Sequence, residues 1–217
     1  MRYRGQSSLT TRARCVRGQQ ASLWAPFILA FVAVTAHAAE TPIAPGVYDE
    51  LLLGYAPATH VLTGYFHSET AAGQFSCIFY LSGTASNGQA RIETYFPETP
   101  REKIAGTING MTKGEVLVAL DEEPGGCAMV NPFADKARPA SFTLASPHDW
   151  TEIRVIRANK SYFYDTPGAA THRKSYLVQG DGVGVKIAAN GWLRVDYPGP
   201  DKTISGWIKE ADLYPRP

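Results

Sequence analysis

Cys77 and Cys127 lie 50 residues apart, and a third cysteine, Cys15, sits in the N-terminal segment. A pair of this kind can form a disulfide, supply a nucleophilic thiol, or give half of a metal site. A thiol nucleophile needs a positioned histidine, and neither cysteine has one nearby in the sequence. A zinc site needs more ligands, and the chain has no C-x-x-C. The favoured reading is a Cys77–Cys127 disulfide, which requires an oxidising compartment. Gly125-Gly126 ahead of Cys127 would let the backbone bring the sulfurs within range.

The remaining reactive side chains carry less. His60 and His67 stand seven apart, so an unbroken strand would put them on opposite faces and deny them a shared metal. His148-Asp149 reads as turn chemistry before Trp150. His172 falls in a long polar loop, Asp165 to Lys174, and reads as solvated. Asp121-Glu122-Glu123 has the look of a paired-carboxylate site, but adjacent acids ahead of Pro-Gly-Gly more often make a solvated turn. No G-x-S-x-G, H-E-x-x-H or phosphate-cradling glycine loop occurs. The chain therefore reads as non-enzymatic, with no cofactor and no metal.

Aromatic residues near the C-terminus are a different matter. Tyr162 and Tyr164 share one face of a strand, opposite Phe163. Trp192 shares a face with Arg194 and Asp196, opposite Leu193 and Val195. A tryptophan on the polar face of a strand offers rigid contact area to a partner. The competing reading is that these rings cover their own barrel or pack on the preceding half of the chain.

The elements that must hold these residues read as β throughout. Val183, Val185 and Ile187 alternate with Gly182, Gly184 and Lys186, then Asn190-Gly191 leads into Leu193, Val195 and Tyr197. Two alternating runs joined through Asn-Gly make a hairpin, because both central residues of a type I′ turn need positive φ. Gly206-Trp207-Ile208-Lys209 follows as a last short strand. The segment from Thr151 to Pro217 is expected to be a small bent barrel of about five strands.

The order YFYD, a turn, YLVQGD, VGV, NGWLRV and GWIKEADL resembles the bacterial SH3-like domain over the last third of the chain. The resemblance implies a fold found in cell-envelope proteins that bind cell-wall peptides or position a partner domain. It places a groove between the long loop and the Trp-headed strand, where Tyr162, Tyr164, Asp165 and Trp192 stand.

The span from Ala39 to Trp150 reads as a second β unit. Strands are expected at 60–66, 75–81, 90–96, 104–108, 115–120 and 142–144, with turns at Asn87-Gly88 and Asn109-Gly110. Their spacing is that of an antiparallel meander closing into a barrel or sandwich. FSCIFYLSG, GEVLVALDEEPGGC, FTLA and W-x-E-I-R loosely resemble an uncharacterised domain found ahead of SH3-like domains in exported bacterial proteins. That resemblance implies architecture alone. A meander barrel can also enclose a small apolar ligand.

Residues 1–38 read as a secretory signal peptide. Arg2, Arg4, Arg12, Arg14 and Arg17 precede the apolar run Leu23 to Val34, and Ala36-His37-Ala38 supplies the cleavage site. Removing the five arginines from the 21 Lys and Arg leaves 16, against 20 Asp and Glu, so the formal charge moves from +1 to −4. The charge is divided: 6 basic and 13 acidic residues over 39–150 give −7, and 10 basic and 7 acidic over 151–217 give +3. A balance that mild argues against nucleic acid as a partner, which calls for a clustered basic patch. The expectation is a periplasmic or secreted binding protein with no membrane span after cleavage. Its partner would be a cell-wall peptide or an envelope protein. The alternatives are an inhibitor or immunity-type protein acting on a hydrolase, and a small-ligand carrier.

Overall fold

A computed structural model describes residues 43–70 and 73–216, so the predicted signal peptide lies outside the described residues. The chain is all-β, as expected, and the predicted meander closes as a barrel. Its strands are β1 (Gly46–Tyr48), β2 (Leu51–Ala56), β3 (Val61–Glu69), β4 (Ser76–Ser86), β5 (Gln89–Phe96), β6 (Thr99–Gly110), β7 (Glu115–Leu120) and β8 (Ala140–Pro147). Each pairs antiparallel with the next, and β1 closes the ring on β8 through Gly46↔Pro147, Val47↔Ser146 and Tyr48↔Leu144.

The barrel interior is filled with side chains. Phe66, Phe79, Phe133 and Phe142 form one cluster, with ring centroids 5.0–6.1 Å apart. Leu51, Leu53, Leu62, Leu81, Ile108 and Leu120 pack around them, all 1 % exposed or less. The Cys77–Cys127 disulfide closes one end, with Cα atoms 4.5 Å apart. Gly126 is required there. Its φ is +82°, and a side chain would run into the carbonyl oxygen of Ser76.

β2 escaped the sequence pattern. In β2, Leu51 and Leu53 point into the barrel, whereas Leu52 points out of it into a second buried cluster. Both faces are apolar, so no alternation marks the strand. The turn expected at Asn109-Gly110 is also displaced. Asn109 pairs with Gln89 on one side and Leu117 on the other, and β6 continues to Gly110. The chain reverses at Lys113-Gly114, where φ is +69° and +76°.

The remaining strands are β9 (Glu152–Val155), β10 (Ser161–Tyr162), β11 (Tyr176–Leu177), β12 (Gly182–Ala189), β13 (Trp192–Pro198) and β14 (Thr203–Lys209). β14, β13, β12 and β9 form a four-stranded antiparallel sheet in that order, and β10 pairs with β11 alone. Asn190 and Gly191 take φ of +49° and +79°, as a type I′ hairpin needs. Val183, Val185, Leu193, Val195, Ile208, Phe163 and Leu177 make the core beneath this sheet.

The described residues belong to one compact unit. The terminal sheet lies against the barrel through Leu52, Tyr65, Tyr80, Trp150, Ile153 and Val155. Approach is close at β12. A Cβ on Gly182 would lie 2.5 Å from Tyr65 Cδ1, and one on Gly184 would overlap the Trp150 ring. The glycines of the GVGV run thus let two buried aromatic rings meet the backbone.

Two expectations about side-chain orientation are corrected here. A register shift between Val185 and Ile187 interrupts the alternation of β12, and Ile187 is 56 % exposed rather than in the core. Asp196, expected on the polar face with Trp192, is 2 % exposed and lies under Trp150.

Candidate functional site

The residues predicted to contact a ligand are held by β10 and the extended chain that follows it. Phe163 is fully buried and anchors this stretch. Its neighbours Tyr162 and Tyr164 therefore turn outward together. Trp207 holds the chain in place, since Tyr164 and Trp207 exchange both backbone hydrogen bonds at 2.8 and 2.9 Å. The long loop returns through Arg173, whose N–H donates to the Phe163 carbonyl at 2.7 Å and whose guanidinium donates to the Ser205 carbonyl at 2.8 Å.

Four rings follow one another in contact. Tyr162 stacks on His172 with centroids 4.0 Å apart and 28° between planes. Tyr164 meets His172 edge-on at 6.1 Å and Trp192 edge-on at 4.9 Å. Tyr176, opposite Tyr162 on β11, extends the row at 5.6 Å and is 45 % exposed. Cations flank it: Lys160 sits 4.5 Å from the Tyr176 ring and Lys209 5.8 Å from that of Tyr164. Tyr162, Tyr164 and Trp192 are thus brought together. Asp165 is committed elsewhere, in an ion pair with Arg173 at 2.6 Å that staples the loop. His172 and Tyr176 were missed. An exposed histidine in a polar loop carries no periodic signal, and a two-residue strand is too short to show one.

A second cluster ties the barrel to the terminal sheet. Trp150 is fully buried, and its Nε1 donates to Asp196 at 3.0 Å. Ser205 donates to the other carboxylate oxygen at 2.6 Å, and Lys186 Nζ bridges Asp196 at 3.1 Å and Asp149 at 2.9 Å. His148, read as turn chemistry, stacks on Trp150 at 4.0 Å with 9° between planes, 3.7 Å from Asp196. Burial alone would raise the Asp196 carboxyl. The hydrogen bonds from Ser205, Trp150 and Lys186 outweigh it and hold the group below the usual carboxylate range. Burial lowers His148 and so favours its neutral form. With both carboxylate oxygens of Asp196 engaged inside the fold, this cluster is a clasp between the two halves.

The other candidates resolve into structure. Glu123 accepts hydrogen bonds from the backbone N–H groups of Phe133 and Ala134 at 3.0 Å, and Asp121 pairs with Lys136 at 2.8 Å. The acidic triplet thereby secures the loop that carries Phe133 into the barrel. His60 is bonded to the Tyr55 hydroxyl at 2.9 Å, and His67 faces Glu69 at 3.3 Å. No group of three or more potential metal ligands converges among the described residues. No helix there is long and apolar enough to cross a membrane. No family model, curated protein or solved structure matches the chain.

Proposed function

We propose that this is an exported, non-enzymatic binding protein whose terminal sheet is an SH3-like module contacting a cell-wall peptide or an envelope protein. The observation that carries the reading is the continuous row Tyr176–Tyr162–His172–Tyr164–Trp192, in which Tyr176 and His172 are exposed and Tyr162, Tyr164 and Trp192 half-buried, fixed from below by Phe163. Aromatic rings held this way bind at low entropic cost, because their rotamers are already set. Lys160 and Lys209 at the row aid encounter with an anionic wall. The Cys77–Cys127 disulfide is compatible with an oxidising compartment. The structural bonding of Glu123, His60 and the Trp150 clasp favours a binding role over catalysis. The packed phenylalanine interior counts against a carrier of apolar ligands.

The test is co-sedimentation with purified peptidoglycan. Wild type is expected to pellet with the wall and Trp192→Ala to stay in the supernatant, with circular dichroism showing the variant folded. Equal pelleting of both would remove the site, and a soluble wild type would remove the partner.

A further inference from the structure

Resting on the reading that the terminal sheet is a binding surface, we infer that the open face of β12–β14 docks an extended acidic peptide. Beyond the Lys186 bulge this face carries Ile187, Trp192, Arg194, Trp207 and Lys209. Ile187 lies beside Arg194, Arg194 opposite Trp207, and Trp192 opposite Lys209. The opposite sides of the same strands, Leu193, Val195 and Ile208, are buried in the core. Further along, the face passes under the barrel, where Trp150 covers Asp196.

Three features of this face point the same way. Ile187 is 56 % exposed because the bulge turns it out of the core, and bulges re-aim side chains next to functional surfaces. Arg194 and Lys209 take part in no ion pair among the described residues, while Asp196, two residues from Arg194 on the same strand, is engaged by Lys186, and Glu210, next to Lys209, by Arg216. The face is left cationic as well as aromatic. The spacing then selects the occupant. Arg194 and Lys209 are diagonal neighbours on paired strands, about 7–8 Å apart. Side chains two residues apart on an extended peptide are separated by about 6.6 Å. Carboxylates at alternate positions of such a peptide meet both cations at once, while the side chain between them points away from the face and the peptide backbone passes over the two tryptophans.

Fluorescence anisotropy with labelled probes tests this at low salt. The probes are a peptide alternating Glu with Val, its Gln counterpart, and an oligothymidylate strand. Two partly exposed charge pairs predict a preference of about tenfold for the Glu peptide over the Gln peptide. Arg194→Gln with Lys209→Gln, neither residue buried, is expected to abolish that preference and leave the melting temperature in place. Ile187→Ser is expected to weaken both peptides alike. Equal affinity of wild type for the two peptides overturns the inference, and so does tighter binding of oligothymidylate. The wall assay separates the two claims. If wild type fails to pellet with peptidoglycan yet prefers the Glu peptide, only the wall partner is lost. If it pellets and the double variant pellets equally, the wall reading stands and this one falls.

Discussion

Gly54 on β2 faces the backbone of β9, where the barrel meets the terminal sheet. A methyl group there would lie 2.7 Å from the Glu152 carbonyl carbon, 2.9 Å from its Cα and 2.9 Å from the Ile153 nitrogen. Carbon atoms in contact sit about 3.5–4.0 Å apart, so Gly54→Ala must push the strands apart by about 1 Å. These are backbone atoms, and no rotamer change relieves them. The neighbouring bonds span the same gap: Tyr55 N–H donates to the Trp150 carbonyl at 3.0 Å, and Ile153 N–H to Thr63 Oγ1 at 2.7 Å. Overpacking costs about 1–3 kcal/mol. Loss of one such hydrogen bond adds about 1 kcal/mol. The expected destabilisation is about 2–4 kcal/mol, a fall in melting temperature of roughly 5–15 °C for a chain of this size. Urea unfolding followed by tryptophan fluorescence measures it. Gly125→Ala is the control, since a methyl group there meets nothing within 4 Å. A Gly54→Ala variant as stable as the control would refute the close approach of β9 to the barrel.

Other consequences are measurable. Cys77→Ser opens a closure of 50 residues and should cost about 4 kcal/mol in the chain-entropy account, read as a lower urea midpoint that reductant reproduces in wild type. Acid should weaken the clasp in two stages. His148 is lowered in the fold, so stability falls as pH drops below about 6.5, where the unfolded chain takes up the proton first. Asp196 is also lowered, so its contribution is full above about pH 4 and is lost as pH falls through its folded value. His148→Gln should remove the first stage from a plot of stability against pH, and Asp196→Asn the second; an unchanged profile in either variant would contradict the assignment.

Local chemistry was readable and long-range packing was not. Asn87-Gly88 and Asn190-Gly191 form tight turns with positive φ at both residues, because that demand is met by the two residues themselves. The disulfide was legible because so few alternatives exist for two cysteines. β2 was invisible, since Leu52 serves the interface while Leu51 and Leu53 serve the barrel. Asn109-Gly110 carries the turn chemistry yet lies within a strand, because partners on both sides hold it there. Ile187 looked like core until a bulge turned it out, and Asp196 looked exposed until Trp150 covered it. Of the candidate site, Tyr162, Tyr164 and Trp192 followed from strand alternation. His172 joined them only through the loop's path, which is set by Arg173 and its bonds to Phe163 and Ser205.

The central claim is that the aromatic face of the terminal sheet, and not the barrel, meets the partner. Nuclear magnetic resonance of the indole N–H groups during titration with soluble peptidoglycan fragments tests it most directly. Trp192 and Trp207 lie on that face, whereas Trp150 is fully buried with its N–H bonded to Asp196. The expected result is a saturable shift of the Trp192 and Trp207 signals with that of Trp150 unmoved. A silent Trp192, or shifts confined to barrel residues, would contradict the account.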